Sequence, residues 1–374
     1  MGLSTEALAT DRPPAVPDSF HDLLGGFRTV LERRLAAWLE SRRQEAAAGE
    51  SPEMLELIDG VGQLATHGGK RLRPALVYFS YRAFGGTSED EALPLALATE
   101  LLHTYLLIHD DIMDHAEVRR GLPAAHVRFR DAHQARGLKG DAADFGRSVA
   151  ILLGDLAQSW AVELAAPAFP RSHGELARCF CAMCQEVVGG QYLEILVAQR
   201  RAGTEEELLR VLRLKSGRYT CERPIQLGAL LAGAPAAAFA DLSRYGAAVG
   251  EAFQLQDDLL GMFGDAGTVG KPVDADLREG KYTFLIHRAR EAATVGQRQV
   301  LEAALGNPDA TAAQVAAALR VLEETGARAA VTGMIAERLR TAGTALAALA
   351  PFDLAADGRL FLAGLIDYLR EREQ

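Results

Sequence analysis

The sequence predicts an all-α protein, a single large helical bundle, on three observations. Apolar residues recur at intervals of three and four along most of the 374-residue chain. Ala, Leu, Glu and Arg dominate those periodic stretches, and alternating β-rich runs are missing. Gly-, Pro- and Asp-rich breaks separate the stretches at 85–90, 121–123, 137–146, 167–174, 233–235, 264–276 and 305–310.

Taken in order, residues 1–18, MGLSTEALATDRPPAVPD, are polar and read as a disordered leader without the apolar core of a secretory signal. Helical periodicity then runs through 20–49, 92–114, 146–165, 244–263 and 312–350. There is no fixed-period repeat and no linker rich enough to divide the chain. One domain over 19–374, of ten to fourteen helices, is therefore expected. The stretch 92–116 is apolar nearly all round until its last turn, which suits a helix at the centre of a bundle. Its charged end must open into a cavity or a solvent mouth.

Composition excludes some functions. A net charge of −10 argues against nucleic acid as a partner, while leaving room for a local basic site facing a small anion. No uninterrupted apolar run reaches about 18 residues, so no membrane span is expected. Four cysteines are few for this length. Cys179, Cys181 and Cys184 cluster in CFCAMC, a spacing that fits no standard zinc pattern, and read as buried thiols on a helix. A reducing cytoplasm suits this usage.

The chemistry concentrates in charged clusters. In HDDIMDHAEVRRG, Asp110 and Asp114 are four apart and share one helix face, with Asp111 beside them. Carboxylates so placed at a helix C-terminus repel one another and the helix dipole. Arg119 and Arg120 could neutralise them as plain ion pairs; so could Mg²⁺, which takes one or two carboxylates plus substrate phosphates. A second apolar helix ending in acids, FQLQDDLLG, favours the metal. It carries Asp257 and Asp258, with Gln254 three residues before Asp257. Basic residues also cluster beside Gly or Ser: Lys70, Arg71 and Arg73 in GGKRLRP, Lys215 and Ser216 in KSGRYT, Lys271 in GKP and Lys281 in EGKYT. Such residues suit phosphate. His103 lies seven before Asp110 on the same stripe, where ligand contact competes with an ordinary core role.

These motifs, in this order, resemble the trans-isoprenyl diphosphate synthases (polyprenyl synthetases) over roughly residues 20–290. The resemblance implies the isoprenoid synthase fold, an all-α bundle around a central cavity, usually a homodimer. It implies Mg²⁺-dependent head-to-tail condensation of isopentenyl diphosphate with an allylic diphosphate (dimethylallyl, geranyl or farnesyl), with three ions when substrate is bound. Asp110 and Asp114 on one helix and Asp257 on the other would hold metal, with Asp111 and Asp258 beside them in the set. Arg119, Lys215, Ser216, Gln254 and Lys271 would hold the allylic diphosphate, with Lys281 and Gln191 (in GGQYLE) nearby. Lys70, Arg73, His103 and Arg120 would hold isopentenyl diphosphate. The chain departs from the family at Gly261, where the second acid motif usually ends in Asp. Asp265 is a candidate replacement, although Gly264 is expected to end the helix first.

By the same resemblance, bulk just before the first acid motif sets product length. One aromatic at the fifth position, Tyr105, with Leu106 next to it, resembles enzymes making the C20 product, geranylgeranyl diphosphate. Farnesyl (C15) and C25 or longer products are the alternatives. A class I terpene cyclase would need an Asn/Asp–Ser/Thr–Glu metal motif that 252–265 does not contain. A catalytically weak regulatory subunit has only Gly261 in its favour.

Overall fold

The computed structural model describes residues 19–49, 51–264 and 275–372, which hold sixteen α-helices. Residues 1–18, Asp265 and Lys271 lie outside the described residues. In order the helices are α1 (Phe20–Ala48), α2 (Pro52–Thr66), α3 (Leu72–Ala83), α4 (Glu89–Met113), α5 (Ala125–Ala135), α6 (Ala142–Ala165), α7 (Glu175–Arg200), α8 (Glu205–Val211), α9 (Arg223–Leu231) and α10 (Phe239–Phe263). They continue as α11 (Ala275–Glu279), α12 (Phe284–Ala292), α13 (Val295–Ala304), α14 (Ala312–Glu324), α15 (Ala327–Ala348) and α16 (Ala356–Glu371).

Local chemistry sets the starts and stops. Thr204, Thr294 and Thr311 each form a capping box, with Glu207, Gln297 and Gln314, which satisfies otherwise unpaired first-turn amides. The periodic run 312–350 is two helices, because Gly326 adopts φ +72° between them, a backbone state that ends a helix. Breaks of this kind raise the count above the expected ten to fourteen. Cys179, Cys181 and Cys184 do lie on α7, but only Cys179 is buried; Cys184 is half-buried and Cys181 exposed, which corrects the expectation of three buried thiols.

α4 is the axis of the bundle. It packs against α1, α2, α3, α5, α6 and α9 and buries Leu93, Leu95, Leu97, Leu101, Leu102 and Ile108. A fully buried Leu contributes about 1.5–3 kcal/mol, so the helix is anchored along its length while its last turn is left for charge. α4 and the Ala142–Ser172 segment are each long and apolar enough to cross a membrane by length and composition. Two-thirds of the α4 window is buried (67%), so its apolarity is accounted for by the core, whereas only 39% of the α6 window is.

Two irregular elements shape the cavity at the end of α4. β1 (Val118–Arg119) pairs antiparallel with β2 (Leu122–Pro123) in a minimal hairpin. Its loop residues Arg120 and Gly121 both have positive φ, +53° and +78°, as a tight primed turn requires. The stretch Leu212–Glu222, containing KSGRYT, is a π-helix between α8 and α9. Helical periodicity does not announce such a winding, which recurs at functional sites. Glycines let it seat: a Cβ at Gly190 of α7 would lie 2.4 Å from the Lys215 amide nitrogen, and one at Gly250 of α10 would lie 2.4 Å from the Gly217 oxygen.

Candidate active site

The C-terminal turns of α4 and α10, the π-helix, α7, the segment 276–284 and the end of α16 line one cavity of about 730 Å³. Of the residues singled out from the sequence, Lys70, Asp110, Arg119, Lys215, Ser216, Gln254, Asp257, Asp258 and Lys281 reach it. Residues from Lys70 to Lys281, far apart in the chain, thus converge on one volume.

At the end of α4 the three acids divide. Asp111 turns inward, 1% exposed, and accepts a forked hydrogen bond from Arg119, 2.7 Å from Nε. The hairpin returns Arg119 to this position, with its Nη2 3.7 Å from Asp110 Oδ2. Asp111 therefore fixes Arg119 and does not line the cavity. Asp110 lies 3.6 Å from Lys215 Nζ. Asp114 also stays outside the lining; its Oδ2 is buried without a hydrogen-bond partner, and Lys281 Nζ is 3.8 Å from it. Burial, reinforced by the charge of Asp110, pushes the Asp114 carboxyl up to about 6.

On α10, Asp257 pairs with Arg372 near the end of the chain at 2.7 Å. Asp258 accepts from Gln254 Nε2 at 2.8 Å, and burial pushes its carboxyl up to about 8. Asp276 of α11 completes this side, 3.3 Å from Lys281 Nζ. Buried carboxyls with raised pKa values are ones that a nearby cation would stabilise in their charged form. Among the described residues no three acids converge closely enough to hold an ion alone. Oxygen donors in two separated clusters fit a hard divalent ion that shares its coordination with a phosphate.

Cations of the cavity are positioned from several elements. Lys215 pairs with Glu194 of α7 as well as with Asp110; burial opposes its charge, but these two acids hold its pKa above the ordinary value. Lys70 is pushed the other way, by burial and then by Arg372. The ring of Phe253 lies beneath both Lys70 and Arg372, at 5.5 and 4.9 Å. Arg71, next to Lys70, instead points into the core and pairs with buried Glu100.

Arg73, His103 and Arg120 stand behind this surface and do not line the cavity. Arg73 donates to Thr220 Oγ1 at 2.8 Å and lies 4.5 Å from the centre of the Tyr219 ring. His103 Nδ1 is 2.8 Å from the Tyr219 hydroxyl, and burial holds this imidazole well below its ordinary pKa. Arg120 donates to the carbonyl of His67 at 3.0 Å and underlies Gly69, so it shapes the GGKR loop. Gln191, one turn before Glu194, also stays outside the lining, and its Nε2 is buried without a partner.

The apolar wall consists of Leu107, Val197, Leu208, Val211, Leu212 and Phe284. Tyr105 and Leu106 are half-buried beside it but do not line it. Leu107 is three residues before Asp110, about 60° away round the helix, whereas Tyr105 is about 140° away. The Tyr105 ring meets the His109 ring edge-on at 4.8 Å.

Glu194, Asp276 and Arg372 line the cavity and were not singled out from the sequence. Glu194 follows Gln191 within GGQYLE, and Asp276 precedes EGK by three residues, so the motifs pointed near both. Nothing local marks Arg372.

Comparisons with known proteins bear on this site. The polyprenyl synthetase family model matches residues 56–322. A short chain isoprenyl diphosphate synthase of Methanothermobacter thermautotrophicus is 33% identical over 345 residues, covering 91% of this chain and 97% of the relative. A geranylgeranyl diphosphate synthase of Methanosarcina mazei is 35% identical, over 72% of this chain and 77% of the relative. Among solved structures, a geranylgeranyl pyrophosphate synthase from Corynebacterium glutamicum, complexed with isoprenyl diphosphate and magnesium, superposes with a TM-score of 0.87 at 31% identity, covering 93% of this chain and 99% of that one.

Proposed function

The chain belongs to the polyprenyl synthetase family, and from that premise we propose that it is a prenyltransferase that condenses isopentenyl diphosphate with an allylic diphosphate to give geranylgeranyl diphosphate. The observation that carries this is one cavity lined by Asp110 of the first acid motif and by Asp257 and Asp258 of the second, with Lys70, Arg119, Lys215 and Lys281 among them and an apolar wall. Relatives named for the C20 product support the chain length.

The residues divide the work. Arg119, Lys215 and Lys281 surround the α4 acids and would bind the allylic diphosphate, with Ser216 and Gln254 beside them. Lys70 is the cation presented to isopentenyl diphosphate, with Arg73, His103 and Arg120 backing its loop. Asp110, Asp114 and Asp257 would hold Mg²⁺, three ions with substrate bound. Bound magnesium supplies positive charge to the departing diphosphate. Cleavage of the allylic C–O bond leaves a carbocation and diphosphate; the isopentenyl double bond attacks the cation, and the proton then lost goes to the departing diphosphate. Cations fixed by Asp111 and Glu194 favour that anion more than intact substrate, which is the condition for catalysis. The apolar wall keeps water from the cation.

Purified protein given Mg²⁺, isopentenyl diphosphate and each allylic primer separately is expected to yield a C20 product by chromatography. No condensation product with any primer would sink the reading.

The functional unit on this reading is a homodimer joined through α6 and α7. Ile151, Leu152 and Val162 are exposed on α6, and Val188, Tyr192 and Ile195 are exposed on α7, the latter at intervals of four and three. Six large apolar side chains in water ask for cover. Wild type should elute at twice the chain mass by size exclusion with light scattering, and Leu152→Arg at the chain mass; a monomeric wild type would rule out the dimer.

A further inference from the structure

The second acid motif ends in Gly261, four residues after Asp257 and so on the same face of α10. A side chain there is excluded by a particular neighbour. A Cβ built on Gly261 would lie 2.4 Å from Asp276 Oδ2 and 3.3 Å from its Cγ. The carboxylate of Asp276 thus occupies the space in which a side chain at 261 would begin. We infer that Asp276 is the third carboxylate of the second acid cluster, delivered from α11 across Gly261 instead of from α10 itself. This rests on the prenyltransferase function proposed for the cavity and deepens it.

Three further observations agree. Asp276 lines the cavity together with Asp257 and Asp258. Its Oδ1 is 3.3 Å from Lys281 Nζ, which in turn lies 3.8 Å from Asp114 Oδ2, so one lysine spans the gap between the two acid clusters. The backbone holds the residue in place: the Lys281 amide donates to the Asp276 carbonyl at 3.0 Å, the Gly306 amide donates to the Leu277 carbonyl at 2.8 Å, and Leu277 is fully buried. A glycine at 261 is therefore what admits the replacement acid. The cluster keeps its charge, and its position now depends on the docking of the 276–281 segment. The competing explanation is that Asp276 only pairs with Lys281 and Gly261 only makes room for packing.

A swap separates the two. Inorganic diphosphate binding is measured by calorimetry with Mg²⁺ and with EDTA, alongside metal-free melting temperatures. Asp276→Asn is expected to weaken the Mg²⁺-dependent binding tenfold or more, with the EDTA result and the melting temperature little changed. Gly261→Asp alone should bind no better, since its side chain collides with Asp276. In Gly261→Asp/Asp276→Ala only the Cβ of residue 276 remains near position 261, at 4.0 Å, and binding should return to within about threefold of wild type. Wild-type binding with Asp276→Asn unchanged, or a double variant no better than Asp276→Ala, would overturn this inference alone. A wild type without Mg²⁺-dependent binding would overturn the proposed function as well.

Discussion

Asp110→Ala is expected to cut turnover by on the order of 10³-fold, the loss typical of removing one preorganised electrostatic contact at a developing charge. Two explanations of the α4 acids make opposite predictions for this variant. If Asp110 were a structural ion-pair partner of Lys215 and Arg119, 3.6 and 3.7 Å away, its loss would lower stability and leave turnover alone. If it holds metal, turnover falls while stability hardly moves. The structure favours a small stability change on its own terms. Losing Asp110 weakens two long ion pairs, but it also relieves the repulsion that helps to push the Asp114 carboxyl up to about 6. These contributions oppose each other. Steady-state kinetics and thermal melting of the same preparation read both quantities. Near-normal turnover would remove Asp110 from the metal set.

Much of the site was legible because its parts are local. Paired acids ending an apolar helix, Arg–Gly at a hairpin and Lys–Ser–Gly each carry their meaning within a few residues, and α4 and α10 deliver their acids at their C-terminal turns. What could not be read was direction. Asp110 and Asp111 are adjacent, yet one faces the cavity and the other is buried against Arg119; a helix turns about 100° per residue, and only packing decides which side is inside. Arg73 shares a motif with Lys70, and His103 a helix stripe with Asp110, but both are drawn behind the cavity by Tyr219 and Thr220 of the π-helix, a winding that periodicity does not reveal. Contacts made by the fold alone were also hidden. Arg372 reaches Asp257 across 115 residues, and Asp276 meets Gly261 from a different helix.

Tyr105→Ala is expected to shift the product from C20 to C25 and longer chains. On the proposed function the diphosphate end would sit near Asp110, and a growing tail would run along the apolar wall, away from the acids. Tyr105 is five residues back, about 7.5 Å along the axis at 1.5 Å per residue. It does not face the cavity as Leu107 does; its ring stands at the side, against His109. On the proposed function Tyr105 would limit the tail by closing the space beside the wall, and truncation would open that space to apolar chain. The residue is half-buried, so the stability loss should stay below about 3 kcal/mol, and product length can be read from folded protein. Leu107→Ala provides the contrast. It widens the wall three residues from Asp110, where the tail passes whatever its final length. Longer products from Leu107→Ala with unchanged products from Tyr105→Ala would move the length-setting position onto the cavity-facing stripe of α4, and Tyr105 would be a packing residue only.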